Sequence, residues 1–426
     1  MSFSIKKLFH VGSKQIFDSG YIATSNLVGA SAGFISGLII ARLVTPENLG
    51  AFRSFGIITT YLNVLHLGLF DSLQRELPYV LECGRYDEAK KSLSASAAWL
   101  SLVLAITTIG FIALSVLSLV KKNYLASAGW IVQPFVLSGV LFGGLFSTLF
   151  RTKHEFRKLA KASLWGSVAN IALLPCLLFS PFYGLCFRSS IVSAINPIIL
   201  YFKKPLKFNI GWNSKELSRH IKIGAPLFSI GYIESSLWLA TESFIVLNLF
   251  GKEGLGLYVL TIAIREAATL VASAVNQVYV PRIASSYSRT KSYSEAWRVS
   301  AKATMASFLI NLTVATAVLF LLPRLVALLM PRYVGAIPLI RLISIFPVLK
   351  ALELPLYVFK AANQRRWYAS YVIIGYFVFI TLSIILGTIY GLEGFIVGVI
   401  SGKAISIIVG NSGLFISVRK ESSCIS

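Results

Sequence analysis

The stretch ASAAWLSLVLAITTIGFIALSVLSL, residues 95–119, contains 25 residues and no charged side chain. Because about 20 apolar residues in a helix cross the hydrocarbon core of a bilayer, this stretch predicts a membrane-spanning helix. Similar apolar stretches recur from Ile22 to Ile416, and 56% of the 426 residues are hydrophobic, whereas only 13% are charged. The sequence therefore predicts a membrane protein with many spans.

Twelve such spans are predicted, with short charged loops between them. Their bounds are 20–41, 49–69, 95–119, 128–150, 162–180, 184–202, 224–248, 255–278, 300–322, 338–360, 368–390 and 392–416. Several spans contain Pro, which membrane helices tolerate because neighbouring helices satisfy the backbone groups that Pro frees.

Lysine and arginine are distributed unequally between the loops. Of the 40 such residues, 28 fall in alternate loops, six fall in the remaining loops, and six lie deeper inside the spans. Positive charge collects in short cytoplasmic loops, so this distribution predicts that both chain termini are cytoplasmic. The formal net charge of +23 is thereby explained by topology, and no nucleic-acid partner is expected.

The two halves of the chain resemble each other at a separation of about 206 residues. LVTPENLGAF at 43–52 aligns with LFGKEGLGLY at 249–258, with Glu, Leu, Gly and an aromatic residue in register. The tripeptide YGL likewise occurs at 183–185 and again at 390–392. Because six spans separate the copies, both halves have the same orientation, which is typical of a parallel repeat.

This repeat predicts an all-α integral membrane fold of about 12 transmembrane helices in two six-helix lobes. The N-terminal lobe is predicted at residues 1–210 and the C-terminal lobe at residues 211–426, related by a pseudo-two-fold axis along the membrane normal. Two equivalent lobes with a seam between them are typical of alternating access, in which the seam opens to one side of the membrane at a time.

Three local segments resemble a known family. ARLVTPENLGAF at 41–52, LGL at 67–69 and GRYDEAK at 84–90 are similar to segments of bacterial polysaccharide-biosynthesis proteins, the O-antigen flippases. These belong to the multidrug/oligosaccharidyl-lipid/polysaccharide exporter superfamily. The resemblance implies that the chain moves an undecaprenyl-diphosphate-linked oligosaccharide, an O-antigen, capsule or exopolysaccharide unit, across the bacterial inner membrane. Polysaccharide polymerase machinery is the protein partner that it implies.

Charged residues inside the spans are the candidate functional residues, since a charge near a helix centre costs about 2.5–3.5 kcal/mol. The basic ones, predicted to bind substrate in a cationic cavity, are Arg53, Arg188, Arg265, Arg341, Lys350 and Lys403. The acidic ones, predicted to couple transport to a proton or cation, are Glu234, Glu242, Glu266 and Glu353. A diphosphate carries about two negative charges and prefers guanidinium and ammonium partners, so the basic excess favours an anionic substrate.

Structural roles are the alternative for several of these residues. Arg53, Arg188 and Arg341 lie near the outer ends of their spans, from which a long side chain reaches the interface. Lys350 and Glu353 are three residues apart, so they share a helix face and can neutralise each other. Glu234 and Glu242 are eight residues apart and can face one cavity at two depths.

Two other functions stay open. A cation-coupled multidrug exporter of the same superfamily would also have twelve spans, but it would need an acidic cavity, and no Asp lies within a span core here. A membrane polysaccharide polymerase or ligase would need a large outer loop, and the outer loops here are short. The sequence contains no nucleotide-binding, metalloprotease or serine-hydrolase motif, so no catalytic residue, metal or cofactor is predicted and the chain is not expected to be an enzyme.

Overall fold

The computed structural model describes Tyr21, Ser25 and residues 28–425, and every regular element among these residues is helical. The first half of the predicted span 20–41 therefore lies largely outside the described residues, as do Lys6, Lys7 and Lys14. The helices are α1 (Val28–Leu43), α2 (Pro46–Leu62), α3 (Leu69–Glu82), α4 (Tyr86–Val120), α5 (Tyr124–Thr152), α6 (Phe156–Ala172), α7 (Cys176–Phe179), α8 (Pro181–Phe202), α9 (Ser214–Tyr232), α10 (Trp238–Thr290), α11 (Tyr293–Leu329), α12 (Ile337–Ile343), α13 (Phe346–Leu352), α14 (Tyr357–Ala361) and α15 (Arg365–Ile425).

Within the described residues, eight helical segments are long and apolar enough to cross a membrane. Two of these segments contain a glycine with a non-helical backbone, Gly251 in α10 (φ 68°, ψ −165°) and Gly391 in α15 (φ 67°, ψ −152°). Glycine adopts a positive φ without the steric cost that a Cβ atom brings, so it permits a sharp break inside a long apolar helix.

The two parts of α15 pack against each other in antiparallel directions. Ser383 lies against Gly398, and Phe379 lies against Gly402, on opposite sides of the break at Gly391. Glycines spaced four residues apart form one helix face and let two helix backbones approach closely in a membrane. The break therefore turns α15 into a tight helical hairpin.

The first compact unit comprises Met1–Val44 and Phe55–Gly231, as far as these residues are described. A stripe of buried leucines forms the centre of its core, because residues four apart lie on the same face of a helix. The stripe consists of Leu69, Leu73 and Leu77 of α3, Leu93 and Leu100 of α4, and Leu137, Leu141, Leu145 and Leu149 of α5. The apolar packing of three helices thus fixes the position of α5 in this unit.

The second compact unit comprises Thr45–Ser54 and Tyr232–Ser426. Its segment Pro331–Ala361 is a succession of short helices, four of which have Pro in the first turn. Because Pro lacks a backbone N–H and cannot continue a preceding helix, each Pro restarts the helix in a new direction. The span predicted at 338–360 is therefore helical and apolar but not straight.

Candidate functional site

A buried ion pair joins the two parts of α10. The Arg265 guanidinium donates from Nη1 and Nη2 to the two carboxylate oxygens of Glu242, each over 2.9 Å. Trp238 Nε1 donates to Glu242 Oε1 over 2.9 Å, and Glu242 is fully buried. Bidentate geometry and the third donor satisfy the carboxylate, which is the condition for a charge to persist in a dry interior. Arg265 is therefore held by the protein's own carboxylate.

A second carboxylate, Glu353, lies between two ammonium groups. Lys350 Nζ donates to Glu353 Oε2 over 2.7 Å, and Lys403 Nζ contacts Glu353 Oε1. Lys403 also lies over the ring of Trp238, with Nζ 5.8 Å from the ring centroid. Trp238 therefore contacts both Glu242 and Lys403. It connects Glu353 and its two lysines to the buried ion pair.

Glu234 extends the cluster towards the surface of the unit. Its Oε2 accepts from Tyr368 Oη over 2.7 Å and from Lys360 Nζ over 3.3 Å. The side chain of Glu353 is 7% exposed, that of Glu234 is 24% exposed, and that of Lys360 is 37% exposed. We call the set Glu234, Lys350, Glu353, Lys360 and Lys403 the lysine cluster, and its three ammonium groups outnumber its two carboxylates.

Irregular backbone places these side chains. Glu234 lies in a π-helical turn, Ile233–Leu237, between α9 and α10. Lys350 lies in the last turn of α13. Glu353 lies between the end of α13 and the 3₁₀ turn Leu354–Leu356. π-helical turns and 3₁₀ turns inside longer helices occur often at functional sites. They direct side chains to positions that a regular α-helix does not reach.

The remaining predicted site residues do not join the lysine cluster. Arg53, Arg341 and Glu266 are exposed on the surface of the protein chain, although Glu266 lies 3.9 Å from Arg265 Nε. Arg188 belongs to the first unit, where its Nε donates to the Asn170 carbonyl over 3.0 Å and its Nη2 contacts Ser36. Glu234 and Glu242 have different partners.

Three residues of the site were not among the predicted ones. Lys360 lies at the last position of the span predicted at 338–360, so it counts among the positive charges of the following loop. Tyr368 and Trp238 carry no charge, so a search for charges inside spans does not find them. Only the fold brings these side chains to the carboxylates of the cluster.

The first unit contains a different polar cluster, at the beginning of α9. A methyl group on Gly224 would lie 1.9 Å from the carbonyl oxygen of Gly68, so α9 and the start of α3 touch through backbone. Four residues along each helix, in opposite directions, His220 Nδ1 lies 2.7 Å from Ser72 Oγ. One turn further along α3, Glu76 Oε2 accepts from Nη2 of Arg219, the residue next to His220, over 3.0 Å. These contacts attach α9 to α3 in a fixed antiparallel register.

His220 is buried in this contact among charged neighbours on three helices. Burial lowers the pKa of His220 below its ordinary value of 6.5, and the positive charge of Arg219 also lowers it. The carboxylates of Glu76, Glu216 and Glu88 act in the opposite direction but do not outweigh the burial. The folded chain therefore favours the neutral imidazole at neutral pH.

We expect the free energy of unfolding to fall as the pH decreases below about 6.5, the ordinary His value. In this range the unfolded chain binds a proton at His220 that the folded chain does not bind, so acid favours unfolding, by at most about 1.4 kcal/mol per pH unit. Thermal unfolding in detergent at a series of pH values between about 5 and 8 measures this dependence. The variant His220→Gln should show a flatter dependence, and an unchanged slope would assign the effect to another group.

Within the described part of the chain, no three His, Cys, Asp or Glu side chains lie close enough together to hold a metal ion. The lysine cluster instead offers ammonium groups, and Tyr368 beside it offers a hydroxyl; both are donors to anions. An anionic oxygen ligand fits these donors, and a cation fits only if it displaces a lysine from its carboxylate.

No family model matches the sequence, and no curated protein matches it. Solved structures share its fold. An inward-facing multidrug resistance MATE family transporter of the MOP superfamily aligns with a TM-score of 0.73 at 15% identity, covering 92% of this chain and 96% of that one. The lipid II flippase MurJ, in an inward closed conformation, aligns with a TM-score of 0.66 at 15% identity, covering 93% and 87%.

A third solved structure is a MOP superfamily transporter from Pyrococcus furiosus, described as having a binding pocket of reverse polarity that suggests a different function. It aligns with a TM-score of 0.58 at 15% identity, covering 94% of this chain and 95% of that one. Together with the eight apolar helical segments, these likenesses show the fold of MOP-superfamily transporters and an integral membrane protein.

Proposed function

We propose that this chain is a flippase that moves an undecaprenyl-diphosphate-linked oligosaccharide from the cytoplasmic to the outer leaflet of the bacterial inner membrane. The observation that carries the proposal is the lysine cluster, in which three ammonium groups face two carboxylates among apolar helices. The substrate is an O-antigen, capsule or exopolysaccharide repeat unit, which polysaccharide polymerase machinery then uses.

The excess ammonium group gives the cluster an affinity for anions. Uncompensated charge inside a membrane protein marks a substrate pathway or a water-filled cavity, because exposure to lipid would be costly. A diphosphate can accept hydrogen bonds from Lys350, Lys360 and Lys403 and restore local neutrality. Arg265 then has the role of a positioning residue, since it holds Glu242 and, through Trp238, the neighbourhood of Lys403.

The topology that we propose for this function has twelve spans. Dividing α10 at Gly251 and α15 at Gly391 raises eight apolar segments to ten, and the shorter helices α1 and α2 make twelve. The spans form an N-terminal lobe (residues 1–210) and a C-terminal lobe (residues 211–426) that alternate access to the two sides. Both chain termini are cytoplasmic, as the positive charge in alternate loops favours.

A cation-coupled multidrug exporter is the second candidate, favoured by the likeness to MATE transporters. Such an exporter needs a carboxylate that can bind a cationic drug or a coupling ion. Here Glu242 is bound to Arg265, Glu353 to two lysines, and Glu234 to Lys360 and Tyr368. Each of these carboxylates would first have to lose a strong intramolecular partner, so the structure supports an anionic substrate better.

Removing one ammonium group tests the proposal. In liposomes that contain the purified protein, Lys403→Gln is expected to slow translocation of a fluorescent undecaprenyl-diphosphate oligosaccharide by about ten-fold or more. The reason is the loss of one charge-assisted hydrogen bond, which contributes about 1.5–3 kcal/mol. Glu353 keeps Lys350 as a partner in this variant, so the fold is expected to persist.

The double variant Lys403→Gln/Glu353→Gln is the matched control, because it removes one charge of each sign and keeps the excess of one ammonium group. Its translocation rate should lie closer to that of the wild type than the rate of the single variant does. Equal rates for wild type and Lys403→Gln, combined with export of ethidium by both, would favour the multidrug exporter and overturn the proposal.

A further inference from the structure

The first unit contains an open apolar groove of about 880 Å³ between α5, α8 and the irregular segment that follows α8. Helices α5 and α8 run parallel here, since Gly139 lies against Ser193, and the rings of Phe146 and Tyr201 are 5.9 Å apart. The groove therefore follows both helices towards their common carboxyl end.

The α5 side of the groove is one continuous helix face. Phe135, Ser138, Phe142 and Phe146 line it at spacings of three and four residues. At 1.5 Å per residue, Phe135 and Phe146 are about 16 Å apart along the axis. That length is about half the thickness of the hydrocarbon core of a bilayer.

A lysine lies at the carboxyl end of the groove. Lys204 Nζ lies 4.2 Å from the ring centroid of Tyr201 and 5.0 Å from that of Phe208, both of which line the groove. Among the residues that the structure describes, no carboxylate forms an ion pair with Lys204. Lys203 and Lys207 flank it and are exposed. The groove thus combines an apolar trough with a concentration of uncompensated positive charge at one end.

We infer that this groove binds the polyprenyl chain of a diphosphate lipid, with Lys204 next to the first phosphate. This inference rests on the proposed function. It adds a lipid-binding site in the first unit to the lysine cluster of the second unit. The charge pattern is complementary to the ligand: an apolar chain many carbons long carries a doubly charged headgroup at one end, where the lysines are located.

The chemistry of the walls favours an isoprenoid over a saturated acyl chain. Six of the 14 residues that line the groove are aromatic: Phe135, Phe142, Phe146, Tyr201, Phe202 and Phe208. Flat ring faces stack on the planar double bonds of a prenyl chain in addition to packing against its methyl groups, whereas a saturated chain offers them no double bonds. Two phosphates also use the three lysines more fully than the single charge of a phosphodiester does.

Binding of sugar-free undecaprenyl diphosphate to the full-length protein in detergent tests the site directly. Ser138→Trp fills the groove, and Lys204→Gln removes its charged end; each is expected to weaken binding by about ten-fold. Val140→Trp, on an exposed face of α5 outside the groove, and Lys121→Gln, at an exposed position that does not line the groove, are matched controls that should bind within about two-fold of the wild type. Native mass spectrometry measures the bound lipid in all five proteins.

Unchanged binding in both Ser138→Trp and Lys204→Gln would overturn the inference, as would equal binding of phosphatidylglycerol, which would make the groove a general lipid site. Failure of the proposed function has a different signature. In that case the wild type would not translocate the lipid-linked oligosaccharide. The variants Ser138→Trp and Lys204→Gln would still bind undecaprenyl diphosphate more weakly than the wild type. In the Lys403→Gln background, which weakens binding at the lysine cluster, Ser138→Trp and Lys204→Gln should still weaken the binding of sugar-free lipid, because the lysine cluster is not part of the groove.

Discussion

Replacing Arg265 with Met is expected to lower the free energy of unfolding by about 3–5 kcal/mol. Glu242 is fully buried, and Arg265 supplies two of the three hydrogen bonds that its carboxylate accepts over 2.9 Å among the described residues. Without the guanidinium, the carboxylate keeps Trp238 as a donor beside the buried hydroxyl of Tyr258, and no positive charge balances it there. It must then bind a proton or admit water, and both are unfavourable in the folded chain.

Equilibrium unfolding in mixed detergent micelles measures this change. The double variant Arg265→Met/Glu242→Gln should regain most of the lost stability, because it removes both charges and keeps the volume of both side chains. Arg324→Met is the matched control, since Arg324 is exposed and its loss should change the free energy of unfolding by at most about 0.5 kcal/mol. Wild-type stability in Arg265→Met would mean that Arg265 is available to a substrate rather than committed to Glu242.

The site could be predicted from sequence only where it is local. Lys350 and Glu353 are three residues apart, and the spacing alone predicts the pair that the structure contains. Glu242 and Arg265 are 23 residues apart, so their contact depends on the break at Gly251 and on the packing of the two parts of α10. No periodicity in the sequence specifies that packing.

In the fold, too, local features could be predicted from the sequence and long-range packing could not. Long apolar stretches predicted the helices well, because hydropathy over about 20 residues is a strong signal. The sequence predicted one span at 338–360, but the prolines at 338, 347 and 355 begin new helical turns within it. Tertiary packing decides the direction of each new turn, and for the same reason the sequence does not predict the position of Lys360 beside Glu234.

One contact in the second unit joins residues that the internal repeat makes equivalent. A methyl group on Gly50 would lie 1.7 Å from the carbonyl oxygen of Lys252. A methyl group on Gly256 would lie 1.8 Å from the carbonyl oxygen of Pro46. Gly50 and Gly256 are 206 residues apart, and so are Pro46 and Lys252, so the crossing of α2 with α10 is reciprocal. Such a crossing is expected where a two-fold axis relates two copies of one motif.

Gly256→Ala is accordingly expected to lower the free energy of unfolding by about 3 kcal/mol or more, which is at the upper end of the range for substitutions that overpack a core. The loss is large because the backbone atoms of Pro46 cannot move aside as a side chain does. Gly50→Ala should have an equal effect, and the double variant should cost less than the sum, since one separation of the helices relieves both clashes.

Gly110→Ala in α4, where a methyl group would meet nothing within 4 Å, is the matched control; it should be neutral or stabilise the helix by up to about 1 kcal/mol. Unfolding in mixed micelles compares the four variants with the wild type. If Gly256→Ala were destabilising and Gly50→Ala were not, the contact would be a single local clash. Equal and non-additive losses would instead mean that residues 46–50 and 252–256 act as two halves of one symmetric crossing.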